Sequence, residues 1–338
     1  MKFHPFLISA GSTAIAIASI VFGGCSREKS ALDAHFPDKF EGKTVEMISF
    51  RDSTILQSAV IKDGKALFDN SELTESDPML VELTVDGRVT AFAIIEPGTA
   101  SLSDSLHVAT GTPLNDRFAS LMQQLDSVEA LDNMLAYVNF ADKVYSENRD
   151  NAIGDYFGLE VIKFAEPSRV DSLLKTAPDR ISKMKKAERF IRFAELRKQT
   201  APGNRYTDFT ASSSNGKPLA LRSLVKPGKY TIVDFWASWC PWCIKELPEL
   251  KAIASDFKDK GVNIVGVAVR DKKEDTAAAV AKHSIPWDVM YEAQRIPYDI
   301  YGFTGIPHLM LIGPDGLIIA RGESASQTRE RLRQLLGE

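Results

Sequence analysis

The chain has 338 residues, 44% of them hydrophobic, with a net charge of −4 at pH 7, three cysteines and five histidines. That length is more than one domain commonly holds, and the slight acidity gives no reason to expect nucleic-acid binding. His4, His35, His107, His283 and His308 show no paired ligand spacing, so no metal site is expected.

Lys2 precedes an apolar stretch from Phe6 to Phe22 that stops at Gly23-Gly24-Cys25. The stretch is short, diluted by Ser and Thr, and ends in small residues, so it reads as an export signal and not a membrane span. Small residues before a cysteine resemble a bacterial lipoprotein cleavage site, where Cys25 becomes the lipid-bearing N-terminus. Phe22 stands where Leu is more usual, and an uncleaved N-terminal anchor is the alternative. Either way, the body of the chain is expected outside the cytoplasm, in the cell envelope facing the periplasm, tethered to a membrane, by a lipid on Cys25 in the first reading. Residues 1–24 are then the signal and residues 25–35 a polar tether.

From 36 to 114 the chain carries short β-type runs with turn signals between them, among them Lys43–Phe50, Met79–Val85 and Val89–Ile95. Their partial alternation, and Asp86-Gly87 between the last two, predict a hairpin in a small antiparallel β domain. Residues 115–200 change character. Asn115 can cap a helix beginning at Asp116, and Leu121, Leu125, Val128 and Leu131 recur at helical spacing. Further helices are predicted around 134–147, 151–164, 168–175 and 178–197. Basic residues from Lys183 to Lys198 are interleaved with Glu188 and Glu195, the pattern of a solvated helix face.

Thr200–Arg205 reads as a linker, and residues 201–338 form a separate α/β region. Its first long strand, Tyr230–Trp236, runs into Ala237-Ser238-Trp239 and then Cys240-Pro241-Trp242-Cys243. Pro241 suits the first position of a helix, where its missing N–H is no loss. Cys240 then falls at the N-cap, with unpaired backbone N–H groups and the positive end of the helix dipole facing its sulfur, which favours the thiolate. Cys243 lies one turn in and is expected to be more shielded. Cys240 is thus the predicted attacking thiol and Cys243 the resolving one. A structural zinc site would need a second Cys or His pair, and haem attachment would need His where Ile244 stands. A CxxC ring at a helix start makes a poor structural staple, which leaves redox chemistry. The pair would need no cofactor beyond its own disulfide.

Val233–Cys243, followed by Ile244–Leu250, resembles the thioredoxin superfamily and within it the TlpA/ResA-like branch of exported thiol–disulfide oxidoreductases. Gly305-Ile306-Pro307, just before the strand His308–Ile312, stands where that family keeps a cis-proline loop facing the cysteines. The resemblance covers roughly residues 201–338 and implies a thioredoxin-like sheet with helices on both faces. It includes strands 230–236, 262–269, 308–312 and 317–321 and helices 241–258, 273–283 and 325–336. It also implies that Asp234 is a buried acid handling the proton of Cys243, with Glu246 nearby, and that Pro307 is cis. The backbone of Ile306, with Trp239 and Trp242, would bind substrate. Protein disulfides as substrates and a membrane thiol protein as electron donor follow from the same resemblance. An oxidase or isomerase of this fold stays open, because Pro241-Trp242 departs from the dipeptides common in the branch. Residues 36–114 resemble the β domain that precedes such modules in Bacteroidetes lipoproteins; residues 36–200 could serve as a docking module.

Overall fold

Buried and half-buried side chains alternate along Ser30–His35, and this segment is a strand, β1, and not the end of a tether. The structure, a computed structural model, describes residues 30–73, 77–105, 107–131 and 133–337. The signal and Cys25 lie outside the described residues. Among those described, no helix is long and apolar enough to cross a membrane. The chain divides into two compact units, one ending at Arg189 and the other beginning at Phe190.

In the first unit, β1 is followed by β2 (Thr44–Ser49), β3 (Ile55–Val60), β4 (Lys65–Asp69), β5 (Met79–Val85), β6 (Arg88–Ile95) and β7 (Gly98–Leu102). They form two sheets, ordered β4-β1-β7 and β3-β2-β5-β6. Pairing is antiparallel as expected except between β1 and β7, which run parallel. Leu32 and Phe68 from one sheet share a core with Met47, Leu83 and Ala93 from the other. Asp86 and Gly87 both have positive φ, which the two-residue turn between β5 and β6 requires.

Six helices follow: α1 (Pro113–Glu129), α2 (Met134–Asn148), α3 (Ala152–Phe164), α4 (Pro167–Thr176), α5 (Asp179–Ser182) and α6 (Lys185–Gln199). The predicted helix 178–197 is therefore two, interrupted at Lys183-Met184. Asn115 is not the cap of α1. The N-cap is Thr112, and the first turn is satisfied by a carboxylate from outside the helix. Glu96 accepts from the Thr112 hydroxyl at 2.5 Å, Leu114 N–H at 2.8 Å and Asn115 N–H at 3.1 Å. Asn115 is buried and binds both backbone groups of Ile94 in β6. Asparagines do cap α2 and α3, Asn133 through Ala136 N–H and Asn151 through Ile153 N–H. α3 is buried from Ala152 to Ile162, the mark of a central helix. Its Asp155 is fully buried between Arg51 Nε at 2.6 Å and Arg180 Nε at 2.8 Å.

The second unit holds β8 (Thr210–Ser212), β9 (Pro218–Ala220), β10 (Tyr230–Trp236), α7 (Pro241–Asp256), β11 (Val262–Ala268) and α8 (Lys273–Lys282). β12 (Asp288–Met290), α9 (Ile296–Tyr301), β13 (His308–Ile312), β14 (Ile318–Arg321) and α10 (Ala325–Leu336) complete it. The main sheet is ordered β12-β11-β10-β13-β14, with β10 central, parallel to β11 and antiparallel to β13. Apolar side chains on the two faces of β10 enter two cores. Val233 and Phe235 pack with Phe193 and Tyr301, and Ile232 packs with Leu250 of α7 and Leu332 of α10. The unit begins within α6, ahead of the expected 200–205 linker, because Phe193 is buried in its core. Gly302 explains how closely that helix is held. It has φ +65°, and a Cβ there would sit 2.3 Å from Phe193 O.

Candidate active site

β10 delivers the chain to the C-terminal edge of the sheet, where Ala237-Ser238-Trp239 turns it into α7. That turn is held by a residue that sequence reasoning passed over. Asp271 is buried, and its carboxylate accepts from Ser238 N–H at 2.7 Å and the Ser238 hydroxyl at 2.9 Å. Lys272 N–H and the Thr276 hydroxyl, each at 3.0 Å, complete its shell. The available signal was its place, an acid between an apolar strand and a helix start, but nothing local points to a partner 33 residues earlier.

Cys240 is the N-cap of α7 and Pro241 occupies the first turn. The Cys240 sulfur accepts the Cys243 N–H at 3.2 Å and the two cysteines are joined in a disulfide, Cα to Cα 5.3 Å. The helix thus offers its free N–H groups and dipole to the first sulfur. Both cysteines are equally buried, at 3% exposure each, so shielding does not distinguish them. Their environments do. The Cys240 sulfur lies 3.7 Å from Ile306 O, and the Ile306–Pro307 peptide is cis.

Asp234 lies opposite Gly266 on β11 and Leu309 on β13, buried in the middle of the sheet. Burial pushes its carboxyl up from 3.8 to about 8, with the nearby negative charge of Glu246 adding to the shift. Glu246 itself sits near the start of α10, its Oε1 3.4 Å from the Ala325 N–H, where a helix N-terminus favours a carboxylate. The structure therefore groups Glu246 with Asp234 and α10. Trp239 is 53% exposed and donates its indole N–H to Arg270 O at 3.0 Å; Trp242 is half-buried beneath Lys245. His308, to which the sequence assigned no chemistry, stacks on Phe303. Burial, then the charges of Arg321 and Arg197, hold its imidazole well below the usual range and so neutral.

Chemically, the arrangement can exchange a disulfide. It has a sulfur at a helix start, a second sulfur able to resolve it, a backbone carbonyl beside the first, and a buried acid that titrates near a thiol's range. The AhpC/TSA family model matches residues 202–321. The thiol-disulfide oxidoreductase ResA of Bacillus subtilis strain 168 is 30% identical over 117 residues, 35% of this chain and 64% of that protein. The C-terminal unit has a thioredoxin-like fold and is similar to the TlpA/ResA-like oxidoreductases. ResA of Bacillus thuringiensis subsp. konkukian is 27% identical over 136 residues, 40% of this chain and 76% of that protein. This chain thus spans just under two thirds of the Bacillus subtilis protein's length. Among solved structures, the thioredoxin domain of a Bacteroides vulgatus thiol-disulfide oxidoreductase is 29% identical. The match covers 40% of this chain and 98% of that one, with a TM-score of 0.37. A Bacteroides sp. thiol:disulfide interchange protein is also 29% identical, covering 41% and 93%, with a TM-score of 0.38.

Proposed function

We propose that this protein is a thiol–disulfide oxidoreductase that reduces protein disulfides outside the cytoplasm through Cys240 and Cys243, with no other cofactor. The observation that carries the reading is the Cys240 sulfur at the start of α7. It accepts the Cys243 N–H at 3.2 Å and stands 3.7 Å from the carbonyl of Ile306, beside which an extended substrate segment can pair. In the reduced protein the Cys240 thiolate attacks one sulfur of the substrate disulfide. A mixed disulfide forms and the substrate's other sulfur leaves as thiolate. Cys243 passes its proton to the ionised form of Asp234 and attacks the Cys240 sulfur, releasing the second substrate thiolate and closing the Cys240–Cys243 disulfide. Two electrons move from protein to substrate, and the released thiolates take up two protons, one of them originally on Cys243. A dithiol donor, here assigned to a membrane thiol protein, restores the reduced pair by the reverse exchange. The signal-like stretch ending at Cys25 supports the extracytoplasmic location and a lipid tether.

The reading is tested by Cys243→Ser, which should accumulate mixed disulfides with cellular proteins, and by insulin reduction with a dithiol donor. No trapped species together with no insulin reduction by the wild type would overturn it. A pair found largely oxidised in cells would favour oxidase or isomerase duty, since the direction follows the reduction potential.

A further inference from the structure

Just beyond β11, Arg270 has φ +50°, a left-handed backbone that Gly or Asn adopts more readily than Arg. The strained position persists because both of its neighbours in space hold it. Its carbonyl accepts the Trp239 indole N–H, and the next residue, Asp271, binds Ser238. The segment carrying Arg270 is thereby fastened to the two residues that precede Cys240. The guanidinium carbon lies 5.2 Å from the centre of the Trp239 ring and 5.1 Å from that of Tyr298. Tyr298 is buried and Trp239 exposed, so the cation is supported from the core and shown to solvent.

A guanidinium resting against aromatic faces keeps its in-plane N–H donors available, in the fork geometry that matches a carboxylate. No carboxylate among the described residues pairs with Arg270. The same is true of Lys245, whose ammonium lies 5.1 Å from the centre of the Trp242 ring. Trp239, just before Cys240, and Trp242, between the two cysteines, thus each carry a cation with no acidic partner among the described residues. Cation–aromatic attraction explains the stacking; it does not explain why an arginine occupies a backbone conformation better suited to glycine.

Resting on the dithiol reading above, the geometry points to Arg270 as a specificity determinant. It binds an aspartate or glutamate side chain next to the cystine of a protein substrate, with Lys245 as a second, weaker contact. The test uses the full chain, reduced beforehand, and three disulfide-bridged reporter peptides that differ only in Glu, Gln or Lys beside the cysteine. Their kcat/KM values are compared. The wild type should favour the Glu peptide over the Lys peptide by about tenfold at low salt, and the ratio should shrink toward one near about 0.5 M salt. Arg270→Glu should invert the ratio, Arg270→Lys should keep part of it, and Lys245→Gln should lower it modestly. The salt titration of the wild type decides the matter even if a variant fails to fold. Exchange on all three peptides at equal rates, insensitive to salt, would overturn the assignment and leave the dithiol reading standing. No exchange on any peptide would remove both.

Discussion

In Asp234→Asn the carboxyl that β10 buries is exchanged for a group of the same shape that cannot ionise. The carboxyl titrates at 3.8 ordinarily and at about 8 in the folded protein. The folded state therefore binds the proton more tightly than the unfolded one, and the stability this acid permits is fully present below pH 3.8 and lost as pH rises toward 8. At pH 7 the unfolded carboxyl is ionised by about three pH units and the folded one is still protonated, a difference worth about 4 kcal/mol against folding. Burying an amide in the same place costs about 1–3 kcal/mol, so Asp234→Asn should gain about 1–3 kcal/mol at pH 7 and lose the gain at pH 4. The four tryptophans, Trp236, Trp239, Trp242 and Trp287, all lie in the second unit, so their fluorescence during urea denaturation reports that unit alone. Wild type and variant are compared with the disulfide intact at pH 4, 5.5, 7 and 8. The other carboxylates are common to both proteins and cancel. A stability difference that does not change with pH would refute the reasoning, because it would mean that Asp234 titrates alike folded and unfolded.

In the reduced protein the same substitution removes the proposed proton acceptor of Cys243, and resolution of the mixed disulfide at pH 9, where the Asp234 carboxyl that titrates at about 8 is ionised, should slow by about 10²-fold, read by stopped-flow exchange. Asp271→Ala frees the Ser238 turn ahead of Cys240. Disulfide exchange should fall at least tenfold, since misplacing a reacting group by about 1 Å costs up to 10²-fold. Asp271 is a positioning residue, so the Cys240 thiol pKa, followed by alkylation rate against pH, should move as well. Asp155→Ala leaves Arg51 and Arg180 without their shared carboxylate in the first unit. It should cost that unit about 3–5 kcal/mol, measured by proteolysis or denaturation followed by circular dichroism.

The redox half was the more legible because its elements announce themselves locally. Tyr230–Trp236 is a continuous apolar run ended by a turn, and Pro241 marks the start of α7 within one residue. β12 and α9 escaped notice because three or six residues give too little period to read. The first unit was harder for a different reason. Ser30–His35 contains no β-branched residue, and its strand forms only because β4 and β7 flank it on either side. The start of α1 was misplaced because its first turn is satisfied by Glu96, sixteen or more residues away, and local rules reward the nearer Asn115. In the candidate site, residue types pointed to Cys240, Cys243 and Asp234. Asp271 and Arg270 act through the fold, one by reaching back to Ser238 and the other through a left-handed backbone, and neither property is written in residue type.

The burial of Phe193 among the residues of the second unit sets where that unit can be cut from the chain. A fragment started at the obvious Pro-Gly linker near residue 202 would leave an empty slot beside Phe235 and Tyr301, a loss of about 3–5 kcal/mol for a phenylalanine-sized void. It would also bare the apolar surface against which α6 rests, inviting association between fragments. A stand-alone redox module, whether made by an engineer or by a gene fusion, must carry the last turns of α6 with it and begin no later than Phe190.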